Sequence, residues 1–266
     1  MKICTLVKYL KEERYIICMT NLTELLGKTY DMFKKNIQLM LKFGLITTVV
    51  MIFAELALFF DYTRKGIDYM GEVINAVDPL KIPNPSVLGS IAVLILAIIA
   101  GLITWTFMVK IYGIITKKKY SIEDSRNILF SRFWALVGTG IMTVIFLLGL
   151  YILLIIPGLI FSFYWIFSHL AVLFREKSGL EALKYSKELV MGNWWKTVGY
   201  LFVVGIITGV IVGGVDWILN AALAPTQFAM YFAITAITTF VTYLASFFSM
   251  AFTINYFLAL EKEKGL

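Results

Sequence analysis

Three ionisable side chains stand inside long apolar stretches of this sequence, where a charge is costly and is therefore a candidate for chemistry. They are Glu55, His169 and Asp216. Glu55 is either hydrogen-bonded to a neighbouring helix or handles protons or cations. His169 is the only histidine of the chain, and it is either a packing residue or a proton relay. Asp216 is expected to reach the outer lipid headgroups.

Two stripes of small residues mark the last two apolar segments. Glycines at every fourth position permit close approach of another helix, and they are Gly205, Gly209 and Gly213. Hydroxyl side chains follow in steps of three and four at Thr235, Thr239, Thr242, Ser246, Ser249 and Thr253. We expect the glycine zipper to form a groove for the final helix. The hydroxyls either bond across helices or line a polar path for a small solute.

The remaining motifs favour contact with lipid over catalysis. The densest basic cluster is Lys117-Lys118-Lys119, which either contacts anionic lipid headgroups or only sets the orientation of the chain. A phosphate-binding loop, a nucleophile elbow and a zinc-binding helix motif are all missing from the sequence. Cys4 and Cys18 precede the first apolar segment, far from His169. We therefore expect no catalytic site, no cofactor and no metal.

The elements that must position these residues are membrane-spanning helices. Hydrophobic residues make up 60% of the 266 residues and charged ones only 15%, far from the usage of soluble proteins. The sequence predicts an all-α integral membrane protein whose six spans cover about 37–60, 87–115, 133–155, 158–174, 194–220 and 228–260. The uncharged run 133–174 is about 63 Å long as a helix, which is two crossings with a turn at Pro157-Gly158. Residues 1–20 are predicted to be a peripheral N-terminal extension, and 21–262 a single membrane domain.

The distribution of basic residues predicts the orientation. Of the 24 lysines and arginines, all but Arg64, Lys65 and Lys81 lie on one side of the predicted spans. The positive-inside rule therefore places both termini in the cytoplasm and the protein in the cell membrane. The net charge of +7 gives no reason to expect nucleic acid as a partner. Divided between the two faces of the membrane, the charge makes the cytoplasmic face strongly positive, which favours anionic lipid headgroups there.

A threefold repeat is predicted, each copy an interfacial amphipathic helix followed by a hairpin of two spans. The three helices should begin with capping boxes at Asn21/Glu24, Ser121/Asp124 and Ser178/Glu181. Copies one and three align without gaps. Their apolar faces are Leu25, Leu26, Thr29, Met32 and Phe33 against Ala182, Leu183, Ser186, Leu189 and Val190.

One segment resembles a known family. It contains Ile156-Pro157-Gly158, then the run from Ser178 to Ser186, then Met191-Gly192-Asn193-Trp194-Trp195. It is similar to a broad prokaryotic superfamily of six-span proteins, whose best-named member is the membrane domain that accompanies some glycerophosphodiester phosphodiesterases. The resemblance implies a six-helix membrane domain. It implies no hydrolase activity here, because the chemistry of the fused members resides in a separate soluble domain.

Three classes of function stay open on this basis. The leading one is a non-enzymatic scaffold or accessory component that works on lipids, the envelope or a transport partner, alone or as a homo-oligomer. The second is a small-solute carrier or channel that uses the hydroxyl stripe. The third is a membrane-embedded lipid-modifying enzyme.

Overall fold

A computed structural model describes residues 21–69, 71, 83–223 and 228–266. The predicted N-terminal extension, with both cysteines, lies outside the described residues. Helices are the regular elements of the part that is described, and no strand occurs in it. They are α1 (Leu22–Lys35), α2 (Ile37–Arg64), α3 (Val87–Ile115), α4 (Ile122–Leu153), α5 (Ile155–Tyr164), α6 (Ser168–Arg175), α7 (Gly179–Val190), α8 (Trp194–Leu223) and α9 (Phe228–Lys264).

Six helical segments are long and apolar enough to cross a membrane, which makes the chain a multi-pass membrane protein. They are α2, α3, α4, the broken pair from Ile155 to Arg175, α8 and α9. The prediction of six spans is thus confirmed, and the second span has the predicted bounds. The others begin or end a few residues away from the predicted bounds, and α4 begins at Ile122, before the predicted start of the third span. The repeat organisation stays a prediction.

The chain divides into two compact units, each described here by itself. Of the described residues, those in the ranges 21–35, 109–205 and 249–266 form one unit, and those between 36 and 108 and between 206 and 248 form the other. In the first unit, the core surrounds the C-terminal part of α9, where Phe252, Tyr256 and Phe257 are fully buried. In the second unit, the Phe107 ring lies 4.6 Å from that of Phe43 and 4.2 Å from that of Phe247.

The turn between the third and fourth spans does not lie at Pro157-Gly158 as predicted. Leu154 has extended dihedral angles and separates α4 from α5. Pro157 lies in the first turn of α5, where a missing amide N–H leaves no hydrogen bond unmade. A Cβ atom at Gly158 would lie 2.5 Å from the Tyr151 ring. This glycine therefore permits close packing of α5 on α4.

The second predicted interfacial helix is not a separate element. α4 begins at Ile122 and continues to Leu153 without a break, so the amphipathic segment is the first part of a span. The capping box at its start is confirmed, with Ser121 and Asp124 bonded to each other's backbone amides at 2.8 and 2.9 Å. The third capping box is wrong, because the Ser178 side chain makes no capping bond. Thr139 of α4 accepts the Gly179 amide instead, at 2.8 Å.

The two other amphipathic helices form as predicted. Most of the apolar face of α7 is buried, including Ala182, Leu183, Ser186, Leu189 and Val190, and its charged face is exposed. In α1, Leu25 and Thr29 are buried and the charged residues are exposed. α7 is separated from α8 by Met191 at φ −58° and ψ 128° and by Gly192 at φ 85°. This turn prevents α7 from continuing straight into the next span.

Candidate functional site

The fourth span is interrupted, and a residue of α7 closes the interruption. α5 ends at Tyr164 and α6 begins at Ser168. The Ser186 hydroxyl accepts the Phe167 amide N–H at 3.0 Å and donates to the Tyr164 carbonyl at 2.7 Å. Unpaired backbone groups within a membrane are costly, so non-helical backbone is tolerated only where protein or water satisfies it. Here a single buried hydroxyl satisfies one donor and one acceptor of the break.

A second side chain binds the same broken span. The indole Nε1 of Trp194, the first residue of α8, donates to the Ile160 carbonyl at 3.1 Å. The Trp194 ring also lies 5.8 Å from that of Phe163 in an edge-to-face arrangement. Ser186 lies before the turn that joins α7 to α8, and Trp194 lies directly after it. Residues on both sides of this turn therefore hold α5.

An ion pair between a partly buried arginine and a buried glutamate joins the end of α6 to the end of α9. Arg175 donates from Nε and Nη2 to the two carboxylate oxygens of Glu261, at 2.7 and 2.5 Å. Glu261 also accepts the Tyr185 hydroxyl at 2.5 Å, and Arg175 Nη1 donates to the Tyr112 hydroxyl at 2.9 Å. Glu261 is only 4% exposed. The carboxylate is therefore compensated by one guanidinium and one phenol.

Aromatic rings surround this ion pair. The Tyr112 and Phe174 rings stack at 3.7 Å, and the Arg175 guanidinium lies 5.6 Å from the centre of the Phe257 ring. Burial, and then the hydrogen bond to Glu261, raise the pKa of Tyr185 to about 12. Tyr185 therefore stays a neutral donor at physiological pH. The four helices α3, α6, α7 and α9, which supply Tyr112, Arg175, Tyr185 and Glu261, are thus joined at one site. Because Arg175 and Glu261 neutralise each other, we interpret this site as structural rather than reactive.

Glu55 lies on α2 and holds two tyrosines. Its Oε1 atom accepts the Tyr69 hydroxyl at 2.6 Å and that of Tyr231, on α9, at 2.7 Å. Burial and the Glu55 carboxylate raise the pKa of Tyr69 well above its usual range. The bond from Tyr231 is the hydrogen bond to a neighbouring helix that one of the two interpretations of Glu55 predicts. The bond from Tyr69 holds a residue that follows the end of α2.

Asp216 lies beside a shallow groove of about 410 Å³. The groove is lined by Met51, Val212, Asp216, Thr238, Thr239, Thr242 and Tyr243. Two of its lining residues, Thr239 and Thr242, belong to the predicted hydroxyl stripe. The Thr242 hydroxyl donates to the Thr238 carbonyl, and that of Thr253 to the Ser249 carbonyl, both at 2.8 Å. These hydroxyls bond along their own helix, not across helices as one interpretation expects.

Among the described residues, none packs closely on the predicted glycine zipper of α8, so its packing role stays a prediction. Gly205, Gly209 and Gly213 are all exposed, and a Cβ atom at any of them would meet no neighbouring atom within 4 Å. In the second unit, the close approach to α9 occurs at Gly44, where a Cβ would lie 3.1 Å from the Phe240 ring. Spacing alone could not tell these cases apart, since lipid is as apolar as a neighbouring helix.

The remaining predicted residues are placed as follows. His169 is partly buried at the start of α6, and its ring is hydrogen-bonded to the Ile166 backbone. Lys117, Lys118 and Lys119 are exposed in the turn between α3 and α4. Among the described residues, no group of three histidine, cysteine or carboxylate side chains could hold a metal ion.

Sequence reasoning missed Arg175, Glu261 and Tyr112 as partners. Arg175 and Glu261 lie in segments whose charges were used only to orient the chain. Tyr185, Asn193 and Trp194 were noticed only as part of the segment that carries the resemblance, and Ser186 also as a member of the apolar face of its predicted helix. In the structure each of them makes a hydrogen bond to another element.

One family matches this chain. The family is described as Domain of unknown function (DUF7847), and its sequence model matches residues 82–260. No curated protein and no solved structure matches the chain. The matched range contains the break, Ser186, Trp194 and Arg175.

Proposed function

Since the chain belongs to the family described as Domain of unknown function (DUF7847), we propose its function from the geometry: a non-enzymatic membrane component that acts as a scaffold or accessory protein. The observation that carries the proposal is the Ser186 hydroxyl, which satisfies both the Tyr164 carbonyl and the Phe167 amide. In carriers, interrupted helices leave backbone groups to line a solute cavity. Here the backbone groups at the interruption bind Ser186 and thereby anchor α7.

The anchored helix presents a charged surface, which we call the α7 polar face. It consists of the exposed residues Glu181, Lys184, Lys187 and Glu188. Ser186 and Tyr185 fix the opposite side of α7 to the broken span and to α9. A rigid helix with charges of both signs suits recognition of a polar segment of a partner, because little side-chain and backbone freedom is lost on binding. We propose that the α7 polar face docks such a partner, a membrane protein.

The wider setting of this function is also part of the proposal. The positive-inside rule supports a cell-membrane location with both termini in the cytoplasm, which would put the α7 polar face there. The equivalent positions Thr29 and Ser186 both carry fully buried hydroxyls, which supports the repeat. The kinship with the membrane domain that accompanies some glycerophosphodiester phosphodiesterases stays a proposal, supported by the same residues that hold the break.

Site-specific photo-crosslinking in native membranes tests the docking proposal. A benzophenone amino acid at Lys184 should give one adduct with a single membrane protein. Reversing charges with Lys187→Glu and Glu188→Lys should abolish it. The same probe at Lys28, which is exposed on α1, is the matched control and should not give that adduct. Adducts with lipid alone at Lys184 would contradict the proposal.

The groove beside Asp216 favours a second candidate, a carrier of small cations. A carboxylate and threonine hydroxyls line a groove of about 410 Å³, and carboxylates inside spans mark many ion pathways. Cation flux into liposomes containing the purified protein separates the two candidates. Flux that is lost in Asp216→Asn would support the carrier, whereas flux equal to that of empty liposomes is expected for the scaffold.

A further inference from the structure

The turn between α3 and α4 carries three consecutive exposed lysines. We call residues 117–119 the lysine turn. It begins two residues after the end of α3, which is long and apolar enough to cross a membrane. The end of a span lies at the level of the lipid headgroups, so the lysine turn is placed where phosphate groups are.

The backbone of the lysine turn is fixed in an uncommon conformation. Lys117 has φ 60°, in the left-handed region that few residues other than glycine adopt. The Lys117 amide donates to the Ile114 carbonyl at 3.3 Å, and the Tyr120 amide to the Lys118 carbonyl at 2.9 Å. The Lys110 ammonium donates to the Tyr120 carbonyl. The conformation is thus held from α3.

Tyr120 packs the end of the turn against α3. A Cβ atom at Gly113 would lie 2.7 Å from the Tyr120 ring, so this glycine permits the contact. The Lys118 ammonium lies 5.9 Å from the centre of the Tyr112 ring and 6.0 Å from that of Tyr120. These cation–π contacts hold the middle lysine near the helix end.

The positive charge of the lysine turn is not cancelled by nearby acids. Asp124 is occupied as the capping residue that accepts the Ser121 amide, and Glu123 lies 3.8 Å from Arg126. No ion pair joins the three lysines to an acid in the described part of the chain. The three ammonium groups thus have no acid partner among the described residues, and the cation–π contacts of Lys118 leave its N–H groups able to donate to an anion.

We propose that the lysine turn binds the phosphate of an anionic phospholipid headgroup. Ammonium groups bind phosphate oxygens through charge-assisted hydrogen bonds. The fixed backbone reduces the conformational freedom that is lost on binding. The position next to a span selects a lipid over a free ion, because the lipid's chains remain in the membrane beside α3. The proposal is independent of the partner that the α7 polar face docks.

Native mass spectrometry of the full chain tests this proposal. The detergent-solubilised protein is titrated with phosphatidylglycerol or with phosphatidylcholine, and retained lipid is measured. Phosphatidylglycerol should bind more tightly. Lys117→Gln/Lys118→Gln/Lys119→Gln should weaken that binding at least about tenfold, since the loss of one hydrogen bond between charged groups already costs about that much affinity.

A matched variant controls for net charge. Lys28→Gln/Lys34→Gln/Lys35→Gln removes the same charge from exposed positions of α1 and should change the affinity less than threefold. Both variants must melt at the wild-type temperature. If the triple variant of the lysine turn does not fold, the single substitution Lys119→Gln replaces it. Equal weakening in both variants would overturn the proposal. Displacement of the lipid by equimolar inorganic phosphate would also overturn it, in favour of a free-phosphate site.

Discussion

The Arg175 guanidinium and the Glu261 carboxylate form a two-point ion pair between residues that lie 86 positions apart in the sequence. Tyr185 donates a further hydrogen bond to the same carboxylate. Three helices, α6, α7 and α9, therefore meet at one carboxylate. Because Glu261 lies near the C-terminal end of α9, the ion pair ties the last span to α6, and the Tyr185 hydrogen bond ties it to the anchored α7.

Removing the carboxylate charge should destabilise the protein strongly. We expect Glu261→Gln to lower the free energy of unfolding by about 2 kcal/mol, because it leaves the Arg175 charge without its partner at a position where that side chain is only 30% exposed. Unfolding in mixed micelles of denaturing and mild detergent measures this change. Glu24→Gln breaks the exposed Lys28–Glu24 pair and should change stability by less than about 0.5 kcal/mol. Equal effects would show that the Arg175–Glu261 pair is solvated.

The spans could be predicted from the sequence because hydrophobic length is a local property. Val87–Ile115 was predicted with the bounds that it has, since its polar neighbours end the apolar run on both sides. The break at Trp165–Phe167 could not be predicted. Its residues are apolar like those around them, and its backbone groups depend on Ser186, which is 19 residues from Phe167.

Turn and packing signals were ambiguous for a different reason. Proline is compatible both with a turn between helices and with the first turn of a helix. The presence of Pro157 therefore did not show whether the chain turns at Pro157 itself or at Leu154. Glycine spacing likewise predicts a flat helix face but not what covers it. A pairing such as that of Arg175 with Glu261 requires three-dimensional proximity, which no local pattern contains.

The hydroxyl that closes the break should be needed for stability. Ser186→Ala leaves the Phe167 amide and the Tyr164 carbonyl unpaired, so we expect a loss of about 2–4 kcal/mol. Ser131→Ala is the control, because Ser131 is exposed and its hydroxyl donates to the Ile128 carbonyl of its own helix. The same unfolding assay compares the two. A loss below about 0.5 kcal/mol for Ser186→Ala would mean that other groups satisfy the break.

The basic asymmetry predicts opposite sides of the membrane for two positions. With Cys4 and Cys18 replaced by serine, single cysteines are introduced by Gly71→Cys and Lys118→Cys. A membrane-impermeant maleimide added to intact cells should label the first and not the second. Inside-out vesicles should give the reverse. Labelling of both positions from one side would contradict the six-span topology with cytoplasmic termini.

Alanine substitutions at two glycines with different surroundings should change the stability of the protein in opposite directions. A Cβ at Gly158 would lie 2.5 Å from the Tyr151 ring, whereas one at Gly209 would meet nothing within 4 Å. Gly158→Ala should therefore destabilise the protein by about 1–3 kcal/mol through overpacking. Gly209→Ala should stabilise it by about 0.5–1 kcal/mol, because alanine loses less backbone freedom in a helix.

Tyr151→Ala provides the internal check on this comparison, since it removes the ring that a Gly158 side chain would meet. The penalty of Gly158→Ala should be smaller in the Tyr151→Ala background by more than about 0.5 kcal/mol, the usual limit of additivity. The effect of Gly209→Ala should be the same in both backgrounds. If Gly209→Ala instead destabilises the protein, and its unfolding depends on protein concentration, the glycine zipper of α8 is covered by a second copy of the chain. In that case the open face seen in the single chain is the interface of a homo-oligomer.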